Sequence, residues 1–161
     1  MKTLITNVYT ALLALTVTGQ RLDYIKKIYR ADPGASVILE YPSICIGAVS
    51  LDTKAQTLGR GGIGSANNGQ DETTFRMNIF AATRNHDGQT AFFGDSTTGE
   101  KGILDVCDDL RNIIRGEYFS GTLSMPANIT NIQTNYIVET AGHIWVAQLS
   151  VEGRRQEKRP R

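Results

Sequence analysis

Two cysteines and two histidines are all that this chain offers for disulfide or soft-metal chemistry. Cys45 and Cys107 fall within apolar runs on separate elements. They read as small buried hydrophobes of a reducing compartment, not as a disulfide framework. His86 and His143 stand at no ligand spacing, so a zinc site lacks its ligands. No run of about 20 apolar residues exists, which excludes a spanning helix. The first 19 residues have one Lys and a short apolar centre, as a secretory signal does. Thr6, Asn7, Tyr9, Thr10 and Thr16 interrupt that centre, so the stretch reads as an amphipathic helix.

Catalytic patterns are also missing. There is no nucleophile elbow, no HExxH and no Cys/His pair at catalytic spacing. Gly94-x-x-x-x-Gly99 comes near a phosphate loop, which needs Lys directly after the second Gly and then Ser or Thr. Here Glu100 intervenes, Gly102 replaces the hydroxyl, and a carboxylate at that point repels phosphate. Arg60-Gly61-Gly62-Ile63-Gly64 shares only its glycine content with a dinucleotide fingerprint, since no helix pattern follows. Asn128-Ile129-Thr130 is a glycosylation sequon in form alone. The expectation is a protein that is not an enzyme and uses no cofactor or metal.

Charge is nearly balanced, at +1 overall, but unevenly spread. Residues 153–161, GRRQEKRPR, hold five of the 17 basic and one of the 16 acidic residues, so this tail carries +4 and the remainder −3. A slightly acidic body does not suggest a nucleic-acid-binding domain. The tail alone could neutralise phosphates non-specifically, or lie across a neighbouring subunit.

What is present is one amphipathic helix around which the rest can be arranged. In Lys101–Arg115, Ile103, Val106, Cys107, Leu110, Ile113 and Ile114 form one apolar stripe. Asp105, Asp108, Asp109, Arg111, Asn112 and Arg115 take the other face, whose ordinary role is solvation. Thr97-x-x-Glu100 reads as a capping box at its start, and Gly116 as the left-handed residue past its end. Leu4, Val8, Ala11, Leu12 and Leu15 predict a first helix over Thr3–Thr16. Leu22, Ile25, Ile28 and Tyr29 predict a second, ending at the turn Asp32-Pro33-Gly34.

Strands are predicted at Ser36–Tyr41, at Ile44–Leu51 with both faces covered, and at Thr73–Arg84, where Phe75, Met77, Ile79 and Ala81 alternate with Arg76, Asn78, Phe80 and Ala82. Ile132–Glu139 and His143–Val151 flank Thr140-Ala141-Gly142 as an antiparallel pair. Its predicted buried set is His143, Trp145, Ala147, Leu149 and Val151. Thr57–Asp71 reads as a long glycine-rich loop or hairpin tip, Asn85–Gly88 as a turn, and Tyr118–Ile132 as an irregular connection around Pro126. The order α-α-β-β-(loop)-β-α-β-β is α+β. It implies a mainly antiparallel sheet packed by an N-terminal helical segment and the central helix, as one domain over 1–152 with a basic arm at 153–161.

The order and spacing of four blocks resemble the tail terminator proteins of long-tailed bacteriophages, and more broadly the neck proteins joining tail to head. The blocks are Tyr41-Pro-Ser-Ile-Cys-Ile-Gly-Ala, Phe75-Arg-Met-Asn-Ile-Phe-Ala, Gly102–Arg115, and His143-Ile-Trp-Val-Ala-Gln-Leu-Ser-Val-Glu-Gly-Arg-Arg. The resemblance spans about two-thirds of the chain by its blocks. It departs from the family at the double N-terminal helix, at 57–71 and in the tail. What it implies is a structural virion protein without catalytic residues, assembled in the host cytoplasm. Its copies would form a ring, a hexamer in the family, that caps the tail tube and meets the head-side connector. Carried onto this chain, Arg60, Ile63, Asn67 and Asn68 would face a neighbouring subunit or the tube. Arg154, Arg155, Lys158, Arg159 and Arg161 would form an arm, with Asp105, Asp108 and Asp109 at a ring boundary. Partners would be further copies of the chain, the tube protein and the connector, with neither membrane nor nucleic acid. The alternatives are another neck component, for head closure or tail completion, and a nucleic-acid-binding module using the tail.

Overall fold

A computed structural model describes residues 2–30, 40–56, 70–140 and 142–158. It is α+β, with the order α1 (Lys2–Ala14), β1 (Lys27–Tyr29), β2 (Ser43–Gln56), β3 (Gln70–Asn85), α2 (Gly88–Phe93), α3 (Ile103–Ile114), β4 (Met125–Glu139) and β5 (Gly142–Lys158). The five strands form one sheet in the order β1-β2-β3-β5-β4. Only β1 and β2 run parallel; the other pairs are antiparallel.

Alternation along the strands puts one apolar set on the helix-covered face. Ile46, Ile79, Leu149 and Ile132 stand in one row across β2, β3, β5 and β4. Ile44, Ala81 and Ala147 form the next, and Val49, Met77, Val151 and Ile129 another. At Gly153 a Cβ would come within 2.5 Å of Leu123 Cδ1, so the bare glycine lets Leu123 lie flat on the sheet.

α3 packs on this face through Ile103, Val106, Cys107, Leu110 and Ile114, all buried, with Ile113 half-buried. This is the stripe that the spacing predicts. Each side chain of this kind contributes about 1.5–3 kcal/mol when fully buried. The predicted cap is displaced. Helical geometry begins at Ile103 with Gly102 as N-cap, and Asp105 Oδ2 accepts the Gly102 N–H at 3.1 Å. Thr97 instead lies in a turn where its N–H donates to Asp95 Oδ1 at 2.8 Å, and Glu100 accepts from Asn85 Nδ2 at 2.8 Å. Gly116 has φ 92°, as a left-handed residue past a helix end should. α1 buries Leu4, Val8 and Leu12. Asn7 Nδ2 donates to Thr122 Oγ1 at 2.6 Å, tying the helix to the loop after α3.

Three expectations are corrected. Leu22–Tyr29 is not a second helix: the Leu22 N–H closes back on Leu15 O at 2.9 Å, and the chain then extends into β1. Leu22, Ile25 and Ile28 are still buried. Residues three apart meet the core equally well from a turn and short strand, so spacing alone misled. Tyr118–Ile132 is irregular only to Ser124, because β4 begins at Met125 and includes Pro126. β4 is an edge strand, where a missing N–H is tolerated. Residues 153–158 are not a separate arm but the end of β5. The predicted strand at 36–41 and the turn at 32–34 fall mainly outside the described residues. Glu40 and Tyr41 themselves sit in a bend.

Candidate assembly surfaces

β2, β3 and β5 run on together past the last apolar row. Thr53, Thr73 and Arg155 stand side by side, then Lys54, Glu72 and Gln156, then Gln56, Gln70 and Lys158. Polar side chains suffice here because backbone ladder bonds hold the strands. The Thr53 and Thr73 hydroxyls meet across the pair at 3.2 Å, and the Gln156 N–H donates to Ser124 Oγ at 2.9 Å. Chain leaves this extension at Gln56 and returns at Gln70, opposite Lys158. Gln56, Gln70 and Lys158, separate in sequence, therefore share one end of the sheet. Arg60, Ile63, Asn67, Asn68, Arg159 and Arg161 lie outside the described residues. Arg154 spans Glu72 at 3.5 Å and Glu152 at 3.4 Å, and Arg76 also meets Glu152 at 3.3 Å. These exposed pairs contribute about 0–1 kcal/mol each, yet they turn much of the cationic charge onto the subunit's own carboxylates.

The three α3 aspartates separate in role. Asp105 caps its own helix. Asp109 accepts from Tyr24 Oη at 2.9 Å and has Arg21 Nε 4.0 Å away. Burial, then the Asp109 carboxylate, push the Tyr24 hydroxyl well above the usual phenol range, so it stays a proton donor. Asp108 alone is exposed. Among the described residues, no group of His, Cys, Asp and Glu is arranged to hold a metal ion. Both cysteines are buried, and they form no disulfide with each other. Burial pushes the Cys107 thiol up to about 11, which disfavours the reactive thiolate.

A cleft of about 310 Å³ opens where β1, β2 and β3 meet the segments flanking α2 and α3. Lys26, Arg84 and Lys101 stand at its walls with Glu100, Tyr24 and Tyr41. The Arg84 guanidinium lies 5.0 Å from the Tyr41 ring centre, and Lys101 Nζ 5.9 Å from that of Tyr24. Burial and then Glu139 raise the Tyr41 hydroxyl. The near-phosphate loop borders this cleft, but its geometry is closed. A Cβ on Gly94 would come within 2.6 Å of Asp105 Oδ2, so a carboxylate packs directly against this loop, and its charge opposes a phosphate there.

The outer strand β4 carries a surface that sequence reasoning missed. Ala127 is buried and Ile129 half-buried, but everything from Thr130 to Thr140 is exposed. Ile132, Tyr136, Ile137 and Val138 are 37, 40, 43 and 66% exposed. Tyr136 stacks on His143, with a hydrogen bond between Tyr136 Oη and His143 Nδ1, and leans on Trp145 at 4.8 Å. Trp145 Nε1 donates to Gly88 O at 3.1 Å, and Phe92 packs on its ring at 4.3 Å. His143 and Trp145 are thus half-buried members of this cluster, not core residues, while Ala147, Leu149 and Val151 are buried as predicted. No signal in β4 itself separates it from a core strand, since Ile132, Thr134 and Tyr136 alternate as a buried face would. No protein-family model matches this chain, and no curated protein is detectably similar to it in sequence.

Proposed function

We propose that the protein is a structural component of a tailed-phage neck, a tail terminator whose copies close into a ring. That ring would cap the tail tube and meet the head-side connector. The observation that carries this reading is the three-stranded extension of β2, β3 and β5 beyond the helix-covered core. A domain that only buries its own core gains nothing from strands of 14, 16 and 17 residues, far longer than the core rows need. Projecting strands that carry Lys54, Arg154 and Arg155 suit contact with neighbouring subunits and with a tube. A ring needs two different faces on each copy. The extension supplies one, and the sheet body with its helices supplies the other.

The test is to add the purified protein to the tube protein of the same phage during polymerisation. Tubes should stop growing and carry a ring at one end in electron micrographs. Tubes that elongate unchanged, with no added density at their tips, would sink the reading. A chain cut after Glu152 should lose capping, because it lacks the third strand of the extension.

A further inference from the structure

Among the described residues, β4 forms one edge of the sheet along its whole length, and the outer half of this strand lacks the devices that usually protect such edges. Natural edge strands are shielded by lysines, prolines, bulges or covering loops. β4 has Pro126 and two irregularities near its start, between Met125 and Asn128 and between Ile129 and Asn131. From Asn131 to Glu139 its register to β5 is unbroken. Over Ile132–Val138, IQTNYIV, there is no charge, proline or glycine. Such a segment is β-prone and ready to pair. The Tyr136 N–H donates to the Asn135 Oδ1 of the preceding residue at 2.9 Å, a partner within β4 itself. In the pairing proposed below, that amide faces the open edge.

We infer that β4 pairs with β4 of a second copy, antiparallel about Asn135, to join two sheets into one. The segment is complementary to itself in this register. Asn135 stands opposite Asn135 of the other copy, Thr134 opposite Tyr136, and Ile132 opposite Val138. The last pair matches two of the exposed apolar side chains on the helix-bearing face, and by symmetry it occurs twice. Glu139 falls opposite Asn131, so no like charges meet. Outward groups of Thr134 and Tyr136 become the hydrogen-bonded pair, and Asn135 the closely spaced non-bonded pair. This contact is isologous, whereas a ring is built from heterologous ones. It therefore goes beyond the terminator reading, as a form of the free protein that hides an aggregation-prone edge.

Sedimentation velocity on the full chain, from low to high micromolar concentration, should give a species of twice the 17.6 kDa chain mass. Asn135→Lys sets two cations opposite each other on an exposed position, and should weaken the pairing several-fold, by up to about five-fold, with unchanged circular dichroism. Asn135→Cys places two Cα atoms about 4.5 Å apart, within disulfide reach, so mild oxidation should link the chains. A wild-type chain that stays monomeric throughout overturns the inference, even if it still caps tubes. So does a dimer whose affinity is untouched by Asn135→Lys and that fails to cross-link through Asn135→Cys. Cross-linked dimers with no tube capping leave this pairing standing while removing the terminator reading.

Discussion

β3 and β4 are both long, both antiparallel and both hydrogen-bonded to β5, yet one is the middle of the protein and the other its surface. In β3, Thr73, Phe75, Met77, Ile79, Ala81 and Thr83 are all buried. In β4 the equivalent alternation, Ile132, Thr134, Tyr136 and Val138, is exposed. Backbone pairing is the same in kind; what differs is cover. α1, α3 and the loop around Phe119 reach β3 and stop short of the outer half of β4. Strand formation and burial are thus separate decisions. The second depends on what lies above the strand, which the pattern of β4 does not record.

The largest effect expected from this contrast comes from paired truncations. Ile79→Ala should cost about 2–5 kcal/mol in denaturant unfolding, and Ile132→Ala less than about 1 kcal/mol. Equal losses would mean that β4 is covered after all. Next come the glycines under the cover. A Cβ at Gly102 would overlap the Gly94 nitrogen and lie 2.5 Å from Phe92 O, both backbone, whereas at Gly153 it meets only Leu123. Gly102→Ala should cost about 1–3 kcal/mol or more. Gly153→Ala should cost clearly less, because Leu123 can change rotamer. The reverse order in thermal melts would contradict the packing described. Tyr24→Phe removes the bond to Asp109 and should cost about 1 kcal/mol, leaving the α3 helix signal intact.

The smallest effect is a titration. Thr90 N–H and Oγ1 both donate to the Asp87 carboxylate, each at 2.8 Å, holding its pKa below the usual range. A depressed carboxylate stabilises the fold above its unfolded pKa, and that contribution disappears as pH falls through the folded value. Asp87→Asn should therefore be less stable than the parent at neutral pH and converge with it in acid. Parallel curves down to low pH would exclude Asp87 as the α2 cap.

What the sequence made legible was local. The α3 stripe, the β3 alternation and the Ala147, Leu149 and Val151 row of β5 can be read because each pattern lies within one stretch and reports its own buried face. The Leu22–Tyr29 spacing predicts a helix because Leu22, Ile25 and Ile28 satisfy the core from either geometry. Residues 153–158 read as a tail because they have no apolar side chain. Their order comes instead from ladder bonds to Gln70–Phe75, 78 to 88 residues away in the chain. Of the candidate surface residues, Arg154 and Arg155 fall on the extension, with Lys158 at its end. Asp105 and Asp109 accept hydrogen bonds within their own subunit, from the Gly102 N–H and Tyr24 Oη. The open edge of β4 had no signature of its own, because its exposure results from helices that end elsewhere.

The position of β5 has a consequence for how the molecule is made. It lies between β3 and β4 but follows both in the chain. A nascent chain emerging from the ribosome therefore presents two finished strands before the one that belongs between them exists. If β3 and β4 zipped together first, the slot would be lost. α3 stands between them in sequence and touches β3, β4 and β5 in the final structure. The β3–β5 pairing joins residues about 58 to 88 positions apart in the chain, from Asn85↔His143 to Gln70↔Lys158, and non-local pairing of this kind slows folding.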